Sequence, residues 1–236
     1  MNLLLLSSSK TDSDDYLIHA ESFIKSFLAK SCHCLFIPFA GVTINYDEYT
    51  LKVSQVFEQW GFTIESIHLS ENMSQSIEKA EAIIVGGGNT FHLLSQLQQY
   101  NLIDVIRKKI MQGVPYLGWS AGSNIVSPGI YTTNDMPVIQ PESFKALNLL
   151  PFQINPHYID GNPPGHQGET REDRLLEFLQ INQTQKVIAL PEGSALRIND
   201  NQITFCKTNN LAGYVFEYGK GKQPIQETDL TYLLNV

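Results

Sequence analysis

Ala82-Ile83-Ile84-Val85-Gly86-Gly87-Gly88-Asn89-Thr90 and Val114-Pro115-Tyr116-Leu117-Gly118-Trp119-Ser120-Ala121-Gly122 share one layout. In each, a short apolar run stops at glycine, and small or helix-forming residues follow. Such a run, with no polar alternation, suits a strand buried on both faces. Working outward, Leu3–Leu6, Leu35–Phe39 and Phe62–Leu69 read as further strands. Between them, Tyr16–Ala29, Tyr46–Trp60, Ser74–Ala80, Phe91–Gln99 and Leu102–Met111 carry apolar residues at helical spacing. This alternation predicts an α/β fold, with a mostly parallel sheet covered by helices on both faces.

The last third changes character. Arg171–Ile181 is amphipathic and reads as a helix, and Val187–Leu190 as a buried strand. Ala195–Ile198 and Ile203–Cys206 flank Asn199-Asp200-Asn201 and read as a hairpin. Tyr214–Tyr218 is one more candidate strand. No repeat or linker interrupts residues 1–236, so a single α/β domain is expected.

Composition narrows the function classes. Of 236 residues, 42% are hydrophobic and 17% charged, a balance that supports a packed core. Lys and Arg number 16 against 24 Asp and Glu, giving a net charge of −8. No basic stripe stands out, so a nucleic-acid partner is not expected. An acidic substrate would need a local cation. Met1–Ser7 is apolar but short, lacks a basic flank and runs into Asp12, Asp14 and Asp15. It reads as a buried first strand rather than a signal peptide. No stretch approaches the roughly 20 apolar residues of a membrane span, so the expected location is cytoplasmic, with no membrane partner. The three cysteines suit a reducing compartment. Cys32-His33-Cys34 has no second pair at zinc spacing, so no metal site and no cofactor are expected. Oligomeric state is left open, with a homodimer as one option.

Gly118-Trp119-Ser120-Ala121-Gly122 matches G-x-S-x-G directly after a strand. Glycines on either side permit a tight strand-to-helix turn that lifts a serine hydroxyl above the sheet edge. Ser120 is therefore the candidate nucleophile, with the Ala121 amide placed to donate to an oxyanion. The plain alternative is a helix-capping serine. Gly86–Thr90 lacks the pattern of a P-loop or a dinucleotide fingerprint. It suits a second oxyanion donor, from Gly88 or its neighbour.

A serine nucleophile needs a base, and the base an orienting acid. Among six histidines, His157 in Asn155-Pro156-His157-Tyr158 has the most rigid setting, whereas His166 sits in the loop Gly161–Gly168. Glu192 ends a buried strand and leads for the acid, with Asp135 and Asp160 as rivals.

The glycine run, the elbow, Asn155-Pro156-His157-Tyr158 and Pro191-Glu192-Gly193 together resemble the peptidase E family of α-aspartyl dipeptidases, related to cyanophycinase. The resemblance spans nearly the whole chain in the same order. It implies a fold like that of the class I glutamine amidotransferases. It also implies a Ser120-His157-Glu192 triad, oxyanion donors at Gly88 and Ala121, and metal-free hydrolysis of dipeptides that begin with aspartate. Those amidotransferases carry cysteine at the elbow, so Ser120 disfavours a glutaminase. Selecting an aspartate side chain calls for a cation of bidentate geometry. The arginines are Arg107, Arg171, Arg174 and Arg197. Arg171 follows the Gly161–Thr170 loop and opens a helix, where a cation gains nothing from the dipole. It is the expected aspartate clamp, with Asn89 and Thr90 as polar substrate contacts.

Overall fold

The computed structural model describes residues 1–12, 15–28, 33–162, 165, 167–226 and 228–234. The readings at Asp14, Ala29, Cys32 and His166 lie outside the described residues.

The strands are β1 (Asn2–Leu6), β2 (His33–Ile37), β3 (Thr63–Ser66), β4 (Ala82–Val85), β5 (Tyr116–Trp119) and β6 (Gln153–Asn155). They continue with β7 (Lys186–Ala189), β8 (Ser194–Asn199), β9 (Gln202–Lys207), β10 (Tyr214–Glu217) and β11 (Gly221–Pro224). The helices are α1 (Glu21–Phe27), α2 (Tyr46–Gln59), α3 (Met73–Lys79), α4 (Thr90–Gln99), α5 (Ile103–Met111), α6 (Ala121–Asn124) and α7 (Arg171–Ile181).

A seven-stranded sheet runs in the order β3-β2-β4-β5-β1-β8-β9. Its first five strands are parallel, and β8 and β9 close one edge as an antiparallel hairpin. Strand periodicity sorts the side chains between faces. Leu3 and Leu5 join α3, α4 and α5 through Ile77, Leu93, Leu94, Ile106 and Ile110. Leu4 and Leu6 face the other way, with Ile24 of α1 and Tyr49, Val53 and Phe57 of α2. Cys34 lies buried in this second layer as a small apolar side chain. The expected α/β sheet with helices on both faces is present.

Val187–Leu190, however, does not join that sheet. It forms β7 of a second, four-stranded sheet, β11-β10-β7-β6. Two of these strands carry too little signal to read. β6 is three residues, a single Ile154 between the polar Gln153 and Asn155, and β11 is Gly-Lys-Gln-Pro at a sheet edge, where proline is tolerated. Val187 and Ala189 pack against Leu175 and Leu179 of α7. Ile188 belongs instead to the main core, so β7 is covered on both sides.

The helix expected from Tyr16 begins later, because Leu17 is left-handed (φ 63) and a single 3-10 turn precedes α1. No helix among the described residues is long and apolar enough to cross a membrane.

Candidate active site

Ser120 sits between β5 and α6 with φ 54 and ψ −113, outside the regions L-residues favour. Such a conformation costs on the order of 1–3 kcal/mol and persists only where its surroundings impose it. Here the imposition is visible. Ser120 N–H donates to Leu6 O at 3.1 Å, and Ser120 O accepts from the amides of Ser123 and Asn124, each at 2.9 Å. Ser123 Oγ donates to Leu6 O at 2.7 Å, and Tyr116 Oη to Gly122 O at 2.6 Å. A Cβ on Gly118 would lie 2.4 Å from Gly122 O, and one on Gly122 would lie 2.2 Å from Val85 O. Both glycines are thus demanded by close backbone approach rather than by φ. The helix after the elbow is only four residues long. Its macrodipole is small, and any oxyanion stabilisation comes from individual N–H groups rather than from a long helix.

Ala121 opens that turn, so its amide has no acceptor within the helix. Gly88 has φ +139, and a Cβ there would lie 2.2 Å from Ala40 O. The next amide, of Asn89, donates to Ala40 O at 2.8 Å. A Cβ on Gly87 would lie 2.9 Å from Ser120 Cβ, so the glycine run rests directly against the serine. Tyr49 Oη holds the run by donating to Gly87 O at 2.8 Å.

His157 follows β6 and Glu192 follows β7. The parallel register Asn155↔Ala189 brings the two exits side by side. His157 Nε2 lies 2.8 Å from Ser120 Oγ, and His157 Nδ1 lies 3.1 Å from Glu192 Oε1. An ionised Glu192 accepts from Nδ1–H, which leaves the Nε2 lone pair for the serine proton. The rival acids are engaged elsewhere. Asp135 Oδ2 accepts from Thr90 N–H at 2.7 Å, Thr90 Oγ1 at 2.6 Å and Thr133 Oγ1 at 3.1 Å. Asp160 accepts from Tyr214 Oη and Lys222 Nζ, both at 2.7 Å.

The backbone of His157 is itself left-handed (φ 55). Its N–H donates to Ser7 Oγ at 2.9 Å, and Ser7 Oγ donates to Leu190 O at 2.8 Å. Ser7 is buried, and sequence reasoning missed it. The available signal was a polar Ser7-Ser8 pair at the carboxyl end of an all-leucine strand, the edge where ligands bind in such sheets.

The expected substrate contacts separate. Thr90 is 1% exposed and its hydroxyl is committed to Asp135, so it braces the glycine loop rather than facing a ligand. Asn89 caps α4, its Oδ1 accepting from His92 N–H at 3.0 Å, while its Nδ2 donates to Met136 O at 2.8 Å. Arg171 opens α7 half-buried, and its Nη1 is buried without a hydrogen-bond partner among the described residues. Burial, and then the neighbouring Arg174, weaken its hold on its proton, while Asp135 and Glu192 act the opposite way. It lines a side pocket of about 340 Å³ with Asn134, Ile159 and Asn162. The cavity of about 620 Å³ in front of Ser120 and His157 is lined instead by Tyr16, Tyr49, Lys52, Asn89 and Asp135, among others. Among the described residues, no group of three or more His, Cys, Asp or Glu is placed to hold a metal ion.

The arrangement is that of acyl transfer, and comparison with known proteins agrees. Peptidase E of Nostoc sp. is 48% identical over 234 residues, covering 98% of this chain and 96% of that protein. Peptidase E of Haemophilus influenzae is 50% identical over 201 residues, 84% of this chain and 92% of that one. A solved structure of a candidate peptidase E protein from Listeria monocytogenes superposes with a TM-score of 0.66 at 25% identity, over 87% of this chain and 98% of that chain. A peptidase from an acI-B1 Actinobacterium shares the fold, with a TM-score of 0.69 at 17% identity over 96% and 94% of the two chains. The family model described as peptidase family S51 matches residues 3–206, and with these relatives it establishes that the chain belongs to peptidase family S51 and is a serine peptidase.

Proposed function

We propose that this serine peptidase hydrolyses dipeptides with an N-terminal aspartate through an acyl-enzyme on Ser120. The observation that carries the reading is the His157 bridge, 2.8 Å to Ser120 Oγ and 3.1 Å to Glu192. His157 Nε2 takes the hydroxyl proton as Oγ attacks the carbonyl carbon of the aspartyl residue. The oxyanion is held by the amides of Gly88 and Ala121, each such donor being worth on the order of 10²–10³ in rate. His157 then returns the proton to the leaving amine, and the second amino acid departs. A water gives its proton to His157 and attacks the ester, releasing aspartate and restoring Ser120. Glu192 holds the imidazole in the required tautomer throughout.

The aspartate preference rests on two supports. Relatives of 45–50% identity are named peptidase E, and Arg171 offers a half-buried guanidinium with an unpartnered nitrogen near Asp135 and Glu192. A substrate β-carboxylate supplies the missing acceptor, in charge-assisted geometry.

The test is hydrolysis of Asp-Leu by the wild-type protein and by Ser120→Ala, with the fold checked by circular dichroism. Loss of turnover on the order of 10³-fold or more is expected in the folded variant. Near-normal turnover in Ser120→Ala would remove the serine from the reaction, and equal cleavage of Asp-Leu and Ala-Leu by the wild type would remove the aspartate preference.

A further inference from the structure

The cavity in front of Ser120 contains a cation that the reaction above does not use. Lys52 lies on α2, three residues after Tyr49, so the two side chains share a helix face. Both line the cavity. Tyr49 Oη bonds Gly87 O at 2.8 Å and lies 3.3 Å from Trp119 Nε1, which ties this face of α2 to the residue preceding Ser120. Lys52 Nζ stands 4.1 Å from the centroid of the Tyr16 ring. Tyr16 in turn packs edge-on against Trp119, with centroids 6.2 Å apart.

No carboxylate among the described residues pairs with Lys52. Glu48, one turn earlier on α2, is the residue a surface lysine would ordinarily meet at i,i+4 spacing. Instead, Lys52 is directed over the ring that lines the cavity. Burial lowers its proton affinity, and Lys10 nearby lowers it further. Apart from Lys52 and the tyrosines, the ionisable side chains of the lining are His157 and Asp135.

We propose that Lys52, backed by the Tyr16 ring, binds the free α-carboxylate of the residue that leaves from Ser120, and so sets the preference for dipeptides over longer or amidated peptides. The inference rests on the Ser120 dipeptidase reading and specifies its leaving-group side. That carboxylate lies three covalent bonds beyond the scissile carbonyl carbon, within about 4 Å of it. In a longer peptide the same position is a neutral amide. An ammonium therefore distinguishes the two by charge rather than by shape.

The experiment compares Asp-Leu with Asp-Leu-amide as substrates of the wild type, Lys52→Met and Lys52→Arg. The wild type is expected to favour the free acid by roughly 10- to 100-fold in kcat/KM, the scale of a charge-assisted hydrogen bond. Lys52→Met should lose that preference through a raised KM for Asp-Leu, with the amide little changed, and Lys52→Arg should retain most of it. Labelling of Ser120 by a small neutral phosphonate should proceed at the wild-type rate in both variants, which marks the nucleophile as intact. An unchanged acid-over-amide ratio in Lys52→Met, or an equal fall for both substrates, overturns the inference and leaves the Ser120 reading standing. A wild type that cleaves neither substrate overturns the Ser120 reading, and this inference with it.

Discussion

The two sheets contribute to the site in different ways. Ser120 leaves the seven-stranded sheet on a turn set within a few residues, by Gly118 against Gly122, and the backbones of β1 and β4 then hold that turn in place. His157 and Glu192 leave the four-stranded sheet, and their meeting depends on strand register between β6 and β7, more than thirty positions apart in sequence. The nucleophile's turn is thus encoded locally and only braced at long range, whereas the base and acid meet through long-range pairing alone. The two halves also touch at Ser7, which follows β1 of the first sheet and holds the His157 backbone beside the second.

Gly122→Ala strikes the local half and should have the largest effect. The new Cβ would meet Val85 O at 2.2 Å, and that carbonyl belongs to a central strand that cannot give way. A loss of about 3 kcal/mol or more in denaturant unfolding is expected, with activity falling further than stability as the elbow distorts. A variant that keeps wild-type stability and turnover would show that the elbow tolerates what the geometry forbids.

Ser7→Ala cuts the join between the halves. It leaves the His157 N–H without its acceptor, while Leu190 O keeps the amide of Tyr158 at 2.9 Å. A destabilisation of about 1–3 kcal/mol is expected. On Asp-Leu, kcat should fall while KM stays close to wild type, because the hydroxyl touches the base and not the cavity. A change confined to KM would show that the two sheets are not coupled through this serine.

Lys222→Met probes the long-range half alone and should have the smallest effect. Lys222 Nζ bridges Asp160 at 2.7 Å and Glu172 at 2.5 Å, tying β11 to the His157 exit and to α7. The hydrogen bonds from Lys222 and Tyr214 hold the Asp160 carboxyl below its ordinary range. A carboxyl depressed on folding contributes stability above its unfolded pKa of about 4, and loses that contribution as pH falls through the lower folded value. The pair is open to solvent on the Asp160 side, so the melting temperature should drop by at most about 4 °C at pH 7. The gap between variant and wild type should close on acidification below about pH 4. A gap independent of pH would mean that the lysine acts through packing.

Much of the first sheet and its half of the site was legible in the sequence, because each feature is encoded within a few neighbouring residues. Apolar runs declare buried strands, and G-x-S-x-G declares its own turn. The hairpin around Asp200 was legible for the same reason, with Asp200 at φ 51 and Asn199 paired to Gln202. β6 and β11 were not, since their stability comes from neighbours rather than from apolar content. Thr90 was misread because a hydroxyl beside a glycine loop looks the same in sequence whether it faces a ligand or a buried Asp135.

By itself the sequence determined the α/β class, the serine elbow, the adjoining glycine run and the short list of histidines and carboxylates. Only the tertiary structure decided that Glu192 rather than Asp135 or Asp160 lies against His157, that Ser7 supports the histidine, and that Lys52 turns into the cavity. The physical reason is range. A tight turn is specified by sterics between residues a few positions apart, whereas a hydrogen bond between side chains that leave different strands exists only after β6 and β7 have paired and the two sheets have packed.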